Sequence, residues 1–206
     1  MTREEALKLV GSTALFERML TANAALCPPK SPDLPLMDVL RAQDPKLHLF
    51  NASPRKFYVF DHQAERLMLC TVDELARLCL YLGAALYAHE IAAIVLKQEK
   101  KLILAALDPK IYRFVMDFAR FGVPKLNVQL DLNKQADALK VFLQDTGAAL
   151  LATLAADFTS PELKEVFLQR LQVKAPLEVE LPPTKIIRLS IEALVREDPS
   201  WMQYFS

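Results

Sequence analysis

Apolar positions recur at helical spacing along most of the chain. In residues 3–26, Leu7, Val10, Ala14, Leu15, Met19 and Leu20 share one face, which predicts a helix that stops at Cys27-Pro28-Pro29. Pro28, Pro29, Pro32 and Pro35 then impose extended backbone, making residues 27–35 a candidate hinge, and a short helix fits residues 36–42 before Pro45. Residues 47–50 and 56–60 read as extended or strand-like, separated by Asn51-Ala52-Ser53-Pro54.

The longest apolar helix is announced by Thr71-Val72-Asp73-Glu74. A hydroxyl followed three residues later by a carboxylate satisfies two unpaired N–H groups at a helix start. The pattern predicts a continuous helix from there to about Leu107, with Leu75, Leu78, Leu82, Leu86, His89, Ala93, Leu96 and Ile103 or Leu104 on one face. Gly83 and the stripe Ala85, Ala88, Ala92 lie beside that face, and such small side chains predict a second helix at close range. Residues 78–96 are apolar except for His89 and Glu90, long enough to meet the lower bound for a membrane span. A carboxylate near the middle and six small residues in the run argue instead for a helix packed inside a protein, with no direct membrane insertion.

Asp108-Pro109 supplies an N-cap and a first-turn proline for a helix over residues 110–120, which breaks at Phe121-Gly122-Val123-Pro124. Residues 126–132 and 177–181 alternate apolar and polar positions strictly and read as two half-buried strands able to pair. Between them the pattern predicts a helix over 134–157, with a bend at Gly147, and another opened by Ser160-Pro161-Glu162. A last amphipathic helix covers 185–196, and Asp198-Pro199-Ser200 caps a final turn carrying Trp201, Tyr204 and Phe205. The expected fold is mainly α: a single compact helical domain, 1–206, with a long buried central helix and a minor β element.

Composition narrows the chemistry. With 206 residues, 52% of them hydrophobic, the chain is long enough to bury a sizeable core and too apolar for disorder. Its 25 basic and 25 acidic side chains cancel, so no global field favours nucleic acid or an anionic membrane. Three cysteines without CxxC spacing fit neither a disulfide framework nor a structural zinc site, and the charged start lacks the apolar core of a secretory signal, so a cytoplasmic location is expected. His48, His62 and His89 show no ligand spacing, the four glycines form no phosphate-binding loop, and Cys79 and His89 are too far apart on one helix for a direct hydrogen bond. The expectation is therefore no catalytic residue, no metal and no cofactor.

One local charge feature stands out. Residues 97–125 hold seven basic and three acidic side chains, a surplus of four positive charges in a neutral chain. Lys97, Lys100, Lys101, Lys110 and Arg113 form a candidate docking belt for an acidic protein surface, and Trp201 and Tyr204 a candidate aromatic contact. Interleaved aromatics suited to nucleic acid are lacking.

The succession Leu75-Ala76-Arg77-Leu78, Leu82-Gly83-Ala84-Ala85-Leu86, Ile94-Val95-Leu96-Lys97, Leu102-Ile103-Leu104-Ala105-Ala106-Leu107 and Ile111-Tyr112-Arg113-Phe114-Val115-Met116 resembles the SctK (YscK-type) family of bacterial type III secretion injectisomes. The resemblance covers about a quarter of the chain and is a packing pattern; Asp108-Pro109 stands where family members often carry a glycine. It implies a non-enzymatic, cytoplasmic virulence-apparatus adaptor, peripherally recruited to the base of the secretion machine. Such an adaptor links the forkhead-associated-like cytosolic domain of the inner-membrane ring protein (SctD) to the pod protein (SctQ), and through it to the ATPase and its stator. The alternative from the residues alone is a small helical carrier of a hydrophobic ligand, or an enzyme, with a pocket near His89 and Cys79.

Overall fold

In a computed structural model, the described residues are Arg18, Met19, Thr21, Ala22, Phe60, and residues 62–126, 129–173 and 181–205. The chain divides into two compact units, Met1–Asp61 and His62–Ser206. In the first, the described residues between 18 and 22 are helical, inside the helix expected over 3–26. The hinge at 27–35, the short helix at 36–42 and the extended stretches at 47–50 and 56–59 lie outside the described residues.

The second unit is mainly helical. A buried 3-10 turn, Glu65–Leu69, leads into α1 (Val72–Leu86), α2 (Ala88–Ala93) and α3 (Lys97–Ala106). Next, α4 (Pro109–Phe114) continues through a π-helical stretch, Val115–Ala119, into a last turn at Arg120–Gly122. Then follow α5 (Ala136–Thr153) with a 3-10 extension, Leu154–Asp157, α6 (Pro161–Leu171), α7 (Pro183–Glu197), a 3-10 turn at Pro199–Trp201, and α8 (Met202–Phe205).

Most helix starts follow from local side-chain chemistry. The Thr71 hydroxyl accepts from the Glu74 N–H at 3.2 Å while the Glu74 carboxylate accepts from the Thr71 N–H at 2.8 Å, a complete capping box. One Asp108 oxygen accepts from Lys110 and Ile111 N–H at 2.8 and 3.0 Å, Ser160 accepts from Leu163, and Asp198 accepts from Ser200 at 2.9 Å.

Two expectations change. The helix expected over 72–107 is three helices, interrupted at Tyr87 and again at 94–96, where Ile94 and Leu96 take extended backbone. Paired β-branched residues at 94 and 95 weaken the helix there, and Lys97 begins a sharply more polar turn. Residues 129–132 are irregular, and no strand occurs among the described residues; 177–180 lie outside them. The alternation survives as burial: Leu126, Leu130 and Leu132 are half-buried, whereas Gln129 and Asp131 are exposed.

The core is centred on α1 crossing α5. A Cβ on Gly83 would lie 1.8 Å from the Leu143 carbonyl oxygen, and one on Gly147 would lie 1.8 Å from the Cys79 carbonyl oxygen. The contact is reciprocal, and because 83 meets 143 while 79 meets 147, the two helices run antiparallel where they touch. Only hydrogen side chains permit backbone approach this close. Gly147, expected at a bend, instead serves this crossing. α7 packs on the same α1, and Tyr81 meets Phe114 edge-on with ring centroids 5.0 Å apart. The described helix long and apolar enough to cross a membrane is α5 with its extension, Ala136–Asp157, and half of its most apolar window is buried in the fold.

Candidate partner-binding site

The expected contact residues separate into two groups. α3 buries Ile103 and Ala106 and packs toward α5, so its register turns Lys97, Lys100 and Lys101 to solvent. α4 buries Ile111 and Phe114, which leaves Lys110 and Arg113 exposed. Lys110 is partly committed, its ammonium lying 3.7 Å from a Glu197 oxygen. Trp201 and Tyr204, expected as an aromatic surface contact, are interior side chains only 1% and 2% exposed. The indole packs edge-on against Tyr204 at 5.2 Å, so these rings serve the core.

Behind α4 lies a polar network that the sequence pattern did not single out. One Arg77 nitrogen lies 2.5 Å from Asp108 and 2.7 Å from Glu197, and the Tyr81 hydroxyl donates to the same Glu197 oxygen. Arg77 is on α1, Asp108 caps α4 and Glu197 ends α7, so the guanidinium joins three elements. Burial alone would raise the carboxyls of Asp108 and Glu197, but it is outweighed: N–H donation from Ile111 and the Arg77 contact hold Asp108 low, and Arg77 and Tyr81 hold Glu197 low. Burial, followed by the Glu197 hydrogen bond, pushes the Tyr81 phenol upward. A cleft of about 200 Å³ opens beside this network, lined among others by Asp73, Tyr81, Leu194 and Glu197. Its carboxylates at 74, 197 and 198 are already engaged, by Thr71, Arg77 and Ser200 respectively. The network is a clamp between helices.

The residues of the pocket alternative are spent on structure. His89 Nε2 donates to the Val123 carbonyl at 2.9 Å, tying α2 to the end of the α4 segment. Burial pushes the Cys79 thiol up to about 12, opposite to what a nucleophile needs. Glu90, expected as a solvated carboxylate beside lysines, accepts from the Leu130 N–H at 2.5 Å. Among the described residues no group of three His, Cys, Asp or Glu side chains is placed to hold a metal ion.

No known family, curated protein or solved structure matches this chain. The site therefore rests on its own geometry. That geometry adds residues the pattern had assigned to a helix interior: Val95 and Leu96 are 89% and 63% exposed at the α2–α3 break. The available signal was the abrupt switch from Ile94-Val95-Leu96 to Lys97-Gln98-Glu99-Lys100-Lys101.

Proposed function

We propose that this chain is a non-enzymatic adaptor of the SctK type, linking the cytosolic domain of an SctD-like ring protein to an SctQ-like pod protein at the cytoplasmic base of a type III secretion injectisome. The packing pattern over residues 75–116 supports the family. The observation that carries an adaptor role is the exposed lysine face of α3, displayed by a body whose α1 and α5 are locked backbone to backbone. A rigid body presenting fixed charge suits a spacer between two partners, because pre-organised surfaces lose little freedom on docking. Exposed lysines contribute little to folding yet set recognition and association rate.

The test is calorimetry of wild type and a K97E/K100E/K101E/R113E variant against the ring protein's cytosolic domain and against the pod protein. Lys110 stays unchanged because its reversal would set a second carboxylate beside Glu197. The expected result is lost affinity for the ring domain, retained affinity for the pod protein, and a wild-type affinity that falls with salt, since exposed charges are screened over about 8 Å at physiological ionic strength. Unchanged affinity for both proteins would refute the docking role of the lysines; no binding of either by wild type would refute the adaptor reading.

A further inference from the structure

Beside the α2–α3 break the surface is concave as well as basic. A groove of about 430 Å³ opens there, walled by Ala93, Ile94 and Leu96 on one side and Leu130 and Leu132 on the other. Its shape is held by the Glu90 carboxylate, which accepts the Leu130 N–H. Single exposed apolar residues are ordinary on a protein surface, but here Val95 and Leu96 adjoin a walled apolar trough. At its edge α3 begins with Leu96 in the cap position, and no side chain accepts from its first turn. Lys97, Lys100 and Lys101 are exposed around that turn, against a single carboxylate, Glu99.

We infer that this groove receives an acidic, amphipathic segment of a partner protein, with an aliphatic or aromatic side chain between Leu96 and Leu130–Leu132 and its carboxylates against Lys97, Lys101 and the open first turn of α3. Three features converge on that occupant. The trough is apolar where a side chain would enter. Its rim is positive in a chain whose net charge is zero. The helix end facing it favours an anion that can also satisfy its N–H groups. A protein segment fits better than an anionic bilayer: Glu90 and Glu99 lie in the trough and would be brought against lipid phosphates. The inference rests on the docking face of the adaptor reading and adds its apolar half.

The experiment uses the full chain, ¹⁵N-labelled, titrated with three synthetic helical peptides. One carries leucines at helical spacing among glutamates, the second replaces the glutamates by lysines, and the third replaces the leucines by serines. Only the first should bind, shifting the signals of residues 93–97 and 130–132. Leu96→Asp should weaken it at least about tenfold while preserving or improving the fold, since aspartate is a favoured helix cap and repels the acidic peptide. K97E/K101E should weaken it similarly. Equal binding of the lysine peptide, or an unaffected Leu96→Asp, overturns the inference. Sedimentation with phosphatidylserine-containing vesicles without peptide binding overturns it in favour of a membrane, and self-association abolished by Leu96→Asp without peptide binding overturns it in favour of a second copy of the chain. If no peptide binds while the ring domain still binds in a lysine-dependent way, the adaptor reading stands and the groove falls; peptide binding without ring-domain binding gives the reverse.

Discussion

Replacing Gly83 by alanine adds one methyl group and should damage this protein more than most larger changes. The new carbon would sit 1.8 Å from the Leu143 carbonyl oxygen and 2.6 Å from its carbon, both backbone atoms. Relief to ordinary contact requires α1 and α5 to part by about 1.5 Å at their crossing. Overpacking typically costs about 1–3 kcal/mol, and a carbonyl inside a helix cannot swing aside, which places this site at the upper end. Alanine's better helix propensity returns about 1 kcal/mol, leaving a net loss of about 2 kcal/mol or more. In urea, with a slope of about 2 kcal/mol/M, the unfolding midpoint should fall by about 1 M. Gly147→Ala meets the Cys79 carbonyl in the same way and should cost a similar amount. The double variant should cost less than the two losses added, since helices already forced apart have room for the second methyl group. Gly122→Ala is the control: its Cβ would meet nothing within 4 Å, so stability should stay within about 0.5 kcal/mol of wild type. A Gly83→Ala midpoint within about 0.2 M of wild type would refute the reciprocal contact.

Other consequences follow from the same packing. Ala88→Leu, at a fully buried position of α2, should lower stability by about 1–3 kcal/mol in equilibrium denaturation; an unchanged midpoint would show that the position is open. Arg77→Gln should cost about 1–2 kcal/mol at pH 7, a figure kept small because Arg77 is 38% exposed. Asp108 and Glu197 have carboxyls held below their ordinary values, so their contribution is present above those values and is lost as pH falls through the folded ones; the wild-type advantage should shrink below about pH 4 in melts across pH. Glu65→Ala should cost about 1–3 kcal/mol, because the buried carboxylate accepts from the Thr159 N–H at 2.8 Å and its removal strands that donor. Cys79, its thiol pushed up to about 12, should resist alkylation at pH 8 until denaturant is added, as read by peptide mass mapping.

The helical class and most helix starts were legible in the sequence because caps act over three or four residues. Thr71 with Glu74, Asp108 with Pro109, Ser160 with Pro161, and Asp198 with Pro199 each carry their own donors and acceptors, so no distant residue is needed to read them. Gly83 and its small neighbours likewise pointed to a close helix, since a missing side chain on an apolar face has few other uses. Gly147 held the matching half of that contact, but nothing local distinguishes a glycine that bends a helix from one that admits a carbonyl.

Tertiary structure decided what depends on residues far apart. The clamp among Arg77, Asp108 and Glu197 and the burial of Trp201 and Tyr204 depend on where α7 packs, which local pattern does not encode. Periodicity carried residues 94–96 straight through as helix. The folded chain breaks there, because turning the lysines of α3 to solvent while burying Ile103 and Ala106 requires a new helix axis. Residues 126–132 kept the in-and-out burial of a strand without pairing at the described positions, and Glu90, forty residues away in sequence, took the Leu130 N–H. Alternation records which side chains face the core, but a strand also needs a neighbour to accept its backbone hydrogen bonds, and here one of those bonds goes to a side chain on a helix.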